Sequence, residues 1–431
     1  MNHLSFKKFS FNPRITAGIV AAGYTTPTPI QTQAIDTIMQ GSDLIGLAQT
    51  GTGKTAAFVL PILHRLLTGQ RGRLRALIIA PTRELVEQIH EAIEALGAKT
   101  GLHSVTVYGG VGIQPQIQKL RRADIVVACP GRLLDHIGRG TINLSRLEVL
   151  VLDEADQMFD MGFLPDIRRI LKHLPRAGYQ TLLFSATMPA PIRRLTGDIL
   201  NNPVRVQVGN DAPAHTVSHA FYPVAKHLKT ALLLKLLGDT NTGAVLVFTR
   251  TKHKARQLGG KLAKVGFRST SLQGNLSQAR RRDAMNGFKS GKYQVLVATD
   301  IAARGIDVSN VSHVINYDVP STPEAYIHRI GRTGRAEHTG EAFTLITGED
   351  NQMVRAINGA VGAPVERRTL EDFNYQVPAA ATNNQRRQPG GQQRRISQAG
   401  RKQNRQTGKG AFAMLSPRKT SRKGGRLRAA L

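Results

Sequence analysis

Residues 149–156 read Val-Leu-Val-Leu-Asp-Glu-Ala-Asp, four apolar residues that run straight into three acids. A short, wholly apolar run bounded by charge reads as a strand buried on both faces, as in a parallel sheet covered by helices. Asp153 and Glu154 then stand at the carboxyl end of a strand, where open α/β sheets bind their ligands. A nucleotide-hydrolysing fold uses such a strand end to bring a metal-holding carboxylate and a water-activating carboxylate to one place. The same eight residues also fit an ordinary buried strand followed by acidic turn residues. The first reading predicts a phosphate-binding loop upstream; the second does not.

That loop is present. Residues 48–55 read Ala-Gln-Thr-Gly-Thr-Gly-Lys-Thr and follow the apolar stretch Leu44-Ile45-Gly46-Leu47. Gly51 and Gly53 permit a tight turn whose N–H groups point at phosphate oxygens. Lys54 supplies a charge for the β- and γ-phosphates, and the Thr55 hydroxyl suits Mg²⁺. A helix starting there aims its positive end at the same anion. Ala48, Gln49, Thr50, Gly51, Thr52, Gly53, Lys54 and Thr55 are the candidate nucleotide cradle. The general pattern opens on Gly, whereas this one opens on Ala48.

The acidic strand belongs to a longer alternation. Apolar runs at 77–79, 105–107, 125–127, 149–152 and 181–184 are separated by helical patterns such as 83–98 and 163–173. All-apolar strands alternating with helices predict a parallel sheet. Residues 209–217 (Gly-Asn-Asp-Ala-Pro-Ala-His-Thr-Val) break the pattern and read as a linker. The alternation then restarts, with strands at 245–248, 295–297 and 314–315 and helices near 226–237, 252–265, 277–290 and 349–361. The expected organisation is a first α/β domain over 1–208, a second over 218–377, and one nucleotide for the pair, because the second has no Gly-x-Gly-Lys-Thr.

From Pro378 the composition changes. Residues 378–431 hold 14 Lys and Arg and no acid. Such a segment cannot bury enough apolar surface to fold and is expected to be a disordered basic tail. It suits phosphate contact or simple solubility, and it could also bind protein or self-associate. The whole chain of 431 residues has a formal net charge of +30, which points to a polyanionic partner such as nucleic acid. Cys129 is the one cysteine, so an intrachain disulfide or cysteine metal cluster is excluded. The first residues lack a signal-peptide core and no apolar run approaches a membrane span, so a cytoplasmic location without membrane attachment is expected.

Other signals fall at strand ends. Residues 23–31 read Gly-Tyr-Thr-Thr-Pro-Thr-Pro-Ile-Gln, and the donor and acceptor of Gln31 match the paired edge of adenine. Pro81-Thr82-Arg83-Glu84-Leu85, Gly109-Gly110 and Pro130-Gly131-Arg132 each follow a strand, and their N–H groups and arginines could track a phosphate chain. Ser185-Ala186-Thr187 ends another strand. Residues 299–307 and 328–335 lie in the second half, the latter with arginines at 329, 332 and 335, a spacing that could place several on one face.

In this order the motifs closely resemble those of the DEAD-box RNA helicases, over roughly residues 4–375. The match extends from Phe6 and Gly23–Gln31 through Ala48–Thr55, Pro81–Leu85, Asp153–Asp156 and Ser185–Thr187 to Val247–Thr249, Gln278-x-x-Arg281, Thr299–Asp307 and His328–Arg335. The short N-terminus and basic tail look most like the bacterial RhlE-type branch. The resemblance implies two tandem RecA-like domains with parallel sheets covered by helices on both faces, the basic tail following. It implies an RNA-dependent ATPase that unwinds short duplexes, with ATP and Mg²⁺ as cofactors.

Carried onto this chain, the resemblance implies that Phe6, Tyr24 and Gln31 recognise adenine, and that Gly305 and Asp307 complete the nucleotide site. Thr55 and Asp153 would hold Mg²⁺, Glu154 would activate water, and Arg332 and Arg335 would be arginine fingers. RNA would be held by Pro81, Thr82, Arg83, Gly109, Gly110, Pro130, Gly131, Arg132, Gln278, Arg281, Thr299, Asp300 and Arg304. Asp156, Ser185, Thr187 and His328 would couple nucleotide state to domain closure. Two positions depart from the pattern: Cys129 replaces a Thr before Pro-Gly-Arg, and Gln273 replaces a His before Gly274. An ATP-gated RNA clamp or annealing chaperone, and a DNA-directed helicase, are the other functions considered. Ribosomal precursors and the RNA-decay machinery are both compatible partners.

Overall fold

The computed structural model describes residues 5–49, 51–208, 217–239, 243–300, 311–334 and 340–378. They build two seven-stranded, all-parallel sheets. The first contains β1 (Leu44–Leu47), β2 (Ala76–Ile79), β3 (Ser104–Val107), β4 (Ile125–Ala128), β5 (Val149–Leu152), β6 (Gln180–Ser185) and β7 (Val204–Gln207), in the order β3-β4-β2-β5-β6-β1-β7. The second contains β8 (Val217–Pro223), β9 (Ala244–Phe248), β10 (Ser269–Leu272), β11 (Val295–Ala298), β12 (Val311–Asn316), β13 (Gly340–Ile346) and β14 (Glu366–Arg367), in the order β10-β11-β9-β12-β13-β8-β14. The two orders are the same pattern seven strands apart.

Both faces of each sheet are covered, because successive residues of a strand point to opposite sides. Val149 and Val151 of β5 enter one core, with Ile15, Ile35, Phe58 and Val86 from α1 (Pro13–Ala21), α2 (Pro29–Met39), α3 (Lys54–Leu66) and α4 (Arg83–Leu96). Leu150 and Leu152 enter the other, with Leu133, Met158, Ile167 and Leu195 from α6 (Pro130–Gly138), α7 (Ala155–Asp160), α8 (Leu164–Leu171) and α9 (Ala190–Ile199). The helix α5 (Ile113–Leu120) packs beside β3. In the second sheet Leu246 and Val314 meet Phe288, Tyr326 and Ile357 of α12 (Gln278–Lys289), α13 (Pro323–Ile330) and α14 (Asn351–Val361). Val245, Val247 and Ile315 meet Leu233 and Leu258 of α10 (Lys229–Asp239) and α11 (Lys252–Lys264).

The structure adds strands that the apolar runs did not announce. β7 is largely exposed, β10 is Ser-Thr-Ser-Leu, and β13 carries Glu341 and Thr344. Val217, read as the last residue of a linker, instead begins β8 and pairs with Gly340 of β13. The other linker residues, 209–216, and the tail from residue 379 lie outside the described residues.

The two sheets differ where a ligand would sit. Lys54 is the first residue of the helix after β1, and Lys229 is the first residue of the helix after β8. Lys229 is buried, and its Nζ donates to Tyr317 O at 3.1 Å and Leu345 O at 2.9 Å. Burial pulls its pKa down. Among the described residues no helix is long and apolar enough to cross a membrane.

Candidate functional site

Strand order assembles the first half of the site. β6 lies between β1 and β5, with Leu47 beside Ser185 and Leu152 beside Leu183. The loop after β1, the acids after β5 and Ser185-Ala186-Thr187 after β6 therefore emerge side by side. Gly51 and Gly53 adopt φ of 90° and 91°, the left-handed region where glycine is favoured. A Cβ on Gly53 would lie 2.6 Å from Gln31 Nε2. No side chain caps α3, so its first-turn N–H groups are left for an anion. Lys54 is buried behind them with Nζ donating to Ala48 O at 2.7 Å, and Thr52 Oγ1 braces the loop on Gln49 O at 2.8 Å. This donor set fits a nucleotide polyphosphate.

Gln31 is tied to the loop. Its Nε2 donates to Gly53 O at 3.1 Å, and its Oε1 accepts from Thr28 N–H at 2.9 Å. Tyr24 is exposed and meets Phe6 edge-on, with ring centroids 6.1 Å apart. An aromatic surface and a loop-anchored amide thus border the cradle.

Asp153 and Glu154 are both almost wholly buried. Burial pushes the Asp153 carboxyl up to about 7; Lys54 opposes the rise and Glu154 adds to it. A carboxylate in that position is stabilised by a cation, which fits the Mg²⁺ role. Thr55, half-buried on the first turn of α3, offers the hydroxyl. Glu154 sits at the N-cap of α7 with φ 52° and ψ 52°, a left-handed conformation that is unfavourable for a side-chain-bearing residue.

Asp156 gathers several donors. Its Oδ2 accepts from Ala186 N–H (3.1 Å), Thr187 N–H (2.9 Å) and Thr187 Oγ1 (3.1 Å). Its own N–H donates to Ser185 Oγ at 3.2 Å, and that hydroxyl donates to Thr187 O at 2.7 Å. From the second sheet, His328 Nε2 on α13 comes within 3.6 Å of Asp156 Oδ2. The acid is therefore a junction between β5, β6 and the other half of the chain.

Arg332 follows on the same side, buried, with Nε donating to His328 O at 3.2 Å. A small cavity between the halves is lined by Gln157, Asp300, His328, Arg329 and Arg332. Gln157 Oε1 is buried there without a hydrogen-bond partner among the described residues. Arg329 does not share a free face with its neighbours. It forks onto Asp300 at 2.5 and 2.7 Å, donates to Asn316 Oδ1 and Asp318 O, and lies over the Phe248 ring. Asp300, expected at RNA, has both carboxylate oxygens in this fork. Thr50, Arg304, Gly305, Asp307 and Arg335 lie outside the described residues.

The remaining candidates line one end of each sheet. β3, β4 and β2 are neighbours, with Ala128 level with Val107 and Ile79, so Gly109-Gly110, Pro130-Gly131-Arg132 and Pro81-Thr82-Arg83 form adjacent loops. Thr82 caps α4 by accepting from Leu85 N–H at 3.3 Å. Arg83 lies across Gly110, where a Cβ would fall 2.3 Å from its Nη1. Arg132 Nη1 donates to Val111 O at 3.1 Å. Cys129 begins α6 without a side-chain cap, and burial, with Glu84 nearby, pushes its thiol up to about 12.

In the second half, α12, which carries Gln278 and Arg281, packs on β10 and on β11, the strand that Thr299 follows. Arg281 is nearly buried and pairs across the halves with Glu84 at 2.6 Å; its Nη1 donates to Gln273 O at 3.1 Å. Glu84, Gln157 and the anchoring role of Arg329 were not foreseen. Glu84 and Arg329 pair with residues 197 and 29 positions away, and Gln157 faces a cavity whose other walls come from the second half, although Glu84 lay within the quoted 81–85 stretch.

The comparisons agree with this geometry. Residues 28–195 match the DEAD/DEAH box helicase family and residues 228–337 match the helicase conserved C-terminal domain. The chain is similar to the DEAD-box ATP-dependent RNA helicase RhpA of Helicobacter pylori, 44% identical over 345 residues, 80% of this chain and 70% of the relative. The DEAD-box ATP-dependent RNA helicase CshA of Bacillus subtilis is 42% identical over 366 residues, 84% of this chain and 74% of the relative. Among solved structures, Saccharomyces cerevisiae Dbp5 bound to RNA and ADP-BeF3 aligns with a TM-score of 0.76 at 30% identity, covering 84% of this chain and 95% of that one. With its two parallel sheets, its nucleotide cradle and these relatives, the chain belongs to the DEAD-box ATP-dependent RNA helicases.

Proposed function

We propose that the chain binds ATP and RNA cooperatively across its two halves, melts a few base pairs locally or remodels RNA–protein complexes, and hydrolyses ATP to release the RNA. The observation that carries this is Asp156. The carboxylate that follows the candidate catalytic acids is held by the β6 loop and approached by His328 of the second half. A change at the phosphates is therefore felt at the surface where the halves meet. The RNA loops lie at the same ends of the sheets, joined by the Glu84–Arg281 pair. Closing the halves would align them into one track.

Each residue then has a distinct task. Tyr24 presents a ring for adenine to stack on. Gln31 uses one amide hydrogen on Gly53 O; its second hydrogen and the remaining lone pair of Oε1 meet the acceptor and donor of the adenine edge, which selects ATP over GTP. Lys54 and the α3 N–H groups neutralise the phosphates. Thr55 and Asp153 are the residues that would hold Mg²⁺, which when bound neutralises charge on the phosphate oxygens. Glu154 accepts the proton of the attacking water, and Arg332 meets the charge that develops on the transferred phosphoryl group, a role that the family resemblance also gives Arg335. The chain's excess of positive charge favours RNA as a whole, and its partners would include ribosomal precursor RNA or the RNA-decay machinery.

The test is Glu154→Gln. RNA-stimulated ATP turnover should fall to background while binding of RNA with a non-hydrolysable ATP analogue persists. Turnover at the wild-type rate overturns the assignment of Glu154 as the base.

A further inference from the structure

A second charged groove lies at the opposite end of the first sheet. It is an open depression of about 690 Å³, with Arg73, Arg121, Arg146, Gly140 and Asn143 in its lining. Its arginines precede β2, β4 and β5, whose first residues Ala76, Ile125 and Val149 stand level in the sheet. The nucleotide and RNA loops leave the other ends of these strands, roughly 10 Å away along the strand axis. Arg73, Arg121 and Arg146 are exposed, as is the adjacent Arg122.

The acids of this end are engaged by other partners. Asp124 is wholly buried, its Oδ1 accepting from Gly72 N–H at 2.7 Å and its Oδ2 from His103 N–H at 2.9 Å. Glu148 takes the buried Arg75 in a two-bond fork at 2.5 and 3.1 Å. Arg139 at the rim is answered by Asp135 at 2.9 Å. The carboxylates thus fix the loops, and the charge of Arg73, Arg121, Arg122 and Arg146 is left facing solvent. Residues 140, 142, 143 and 145 also line a neighbouring depression of about 600 Å³ that continues to His173. Sharing these four residues, the two adjoin as one track.

We propose that this track binds the phosphate backbone of an RNA segment other than the one held at the catalytic loops. Its volume exceeds what a small anion needs, and spaced arginines on a braced frame suit a chain of phosphates. No Phe, Tyr or Trp lines either depression, so contact rests mainly on phosphates and depends little on sequence. The site would hold the flank of a long or structured RNA while the opposite face works on a short stretch.

The experiment compares full-length protein with an Arg73→Gln/Arg121→Gln/Arg146→Gln variant on two RNAs, one just long enough to cross the catalytic loops and one with an added hairpin flank. ATPase stimulation and affinity with the short RNA should be unchanged. Affinity for the flanked RNA should fall, and its salt dependence should flatten by about 2 in slope, from about 0.7 per lost phosphate contact. Photo-crosslinking of wild-type protein to the flanked RNA should label peptides around 73, 121 and 146 as well as the catalytic loops. Equal affinity and slope for the flanked RNA overturn the proposal. So does an equal loss on the short RNA, or crosslinks confined to the catalytic loops. Displacement by an acidic peptide without any RNA crosslink in the groove would assign it to a protein partner instead.

Discussion

Glu154 is held in a left-handed backbone at the point where β5 turns into α7, a conformation costing about 1–2 kcal/mol in a residue with a Cβ. Glu154→Gln keeps that strain, whereas Glu154→Gly relieves it. Thermal melts should therefore place the Gly variant above the Gln variant by up to about 1 kcal/mol, with both inactive; equal melting would remove strain from the account. Its neighbour Asp153 makes a pH prediction. Burial raises the folded-state pKa to about 7, so the folded protein holds a proton that the unfolded chain has released. This group's contribution is fully present below the ordinary carboxylate range, declines as pH rises from there, and is lost above about pH 7. Without nucleotide or metal, Asp153→Asn should raise the melting temperature more at pH 8 than at pH 5. An equal rise at both would show that the carboxyl does not titrate in this window.

At the scale of elements, the loops carry the function and the strands place them. Glu84 opens α4 in one half and Arg281 belongs to α12 in the other, yet their side chains form a pair with little solvent access. Removing either partner leaves a shielded charge, so Glu84→Ala and Arg281→Ala should each weaken RNA binding with an ATP analogue. A double-mutant cycle should return a coupling of about 1–3 kcal/mol. Additive losses would mean that the pair does not support the RNA-bound form. This contact also marks the limit of what sequence shows. β5 and β4 were visible because every residue in them is apolar and buried. β10 and β13 were not, because their polar residues are satisfied by neighbouring elements: Asn316 Nδ2 of β12 donates to Thr344 Oγ1 at 3.0 Å, and Ser269 Oγ donates to Gly259 O of α11 at 2.9 Å. The cradle at 48–55 was legible because its chemistry is local to eight residues. The Arg329 fork on Asp300 was not, because spacing along a helix reports a face but not what meets it.

At the scale of the whole molecule, the basic charge is distributed over several surfaces. Residues 379–431 contribute 14 Lys and Arg without an acid. Deleting them should weaken RNA binding and flatten its salt dependence while leaving stimulated turnover per bound RNA intact. An identical salt slope would show that the tail does not touch phosphates. The two sheets share one strand order, and each begins the helix after its first strand with a lysine. Lys54 follows a glycine-rich turn and donates to one carbonyl of that loop, Ala48 O; Lys229 ties together the ends of β12 and β13 through two carbonyls. One strand order thus carries two loop chemistries, a phosphate cradle in the first half and a backbone brace in the second. A lysine spent on two strand ends stiffens the second half at the place where the first is built to receive, so that half serves as a braced wall and not as a second receptor.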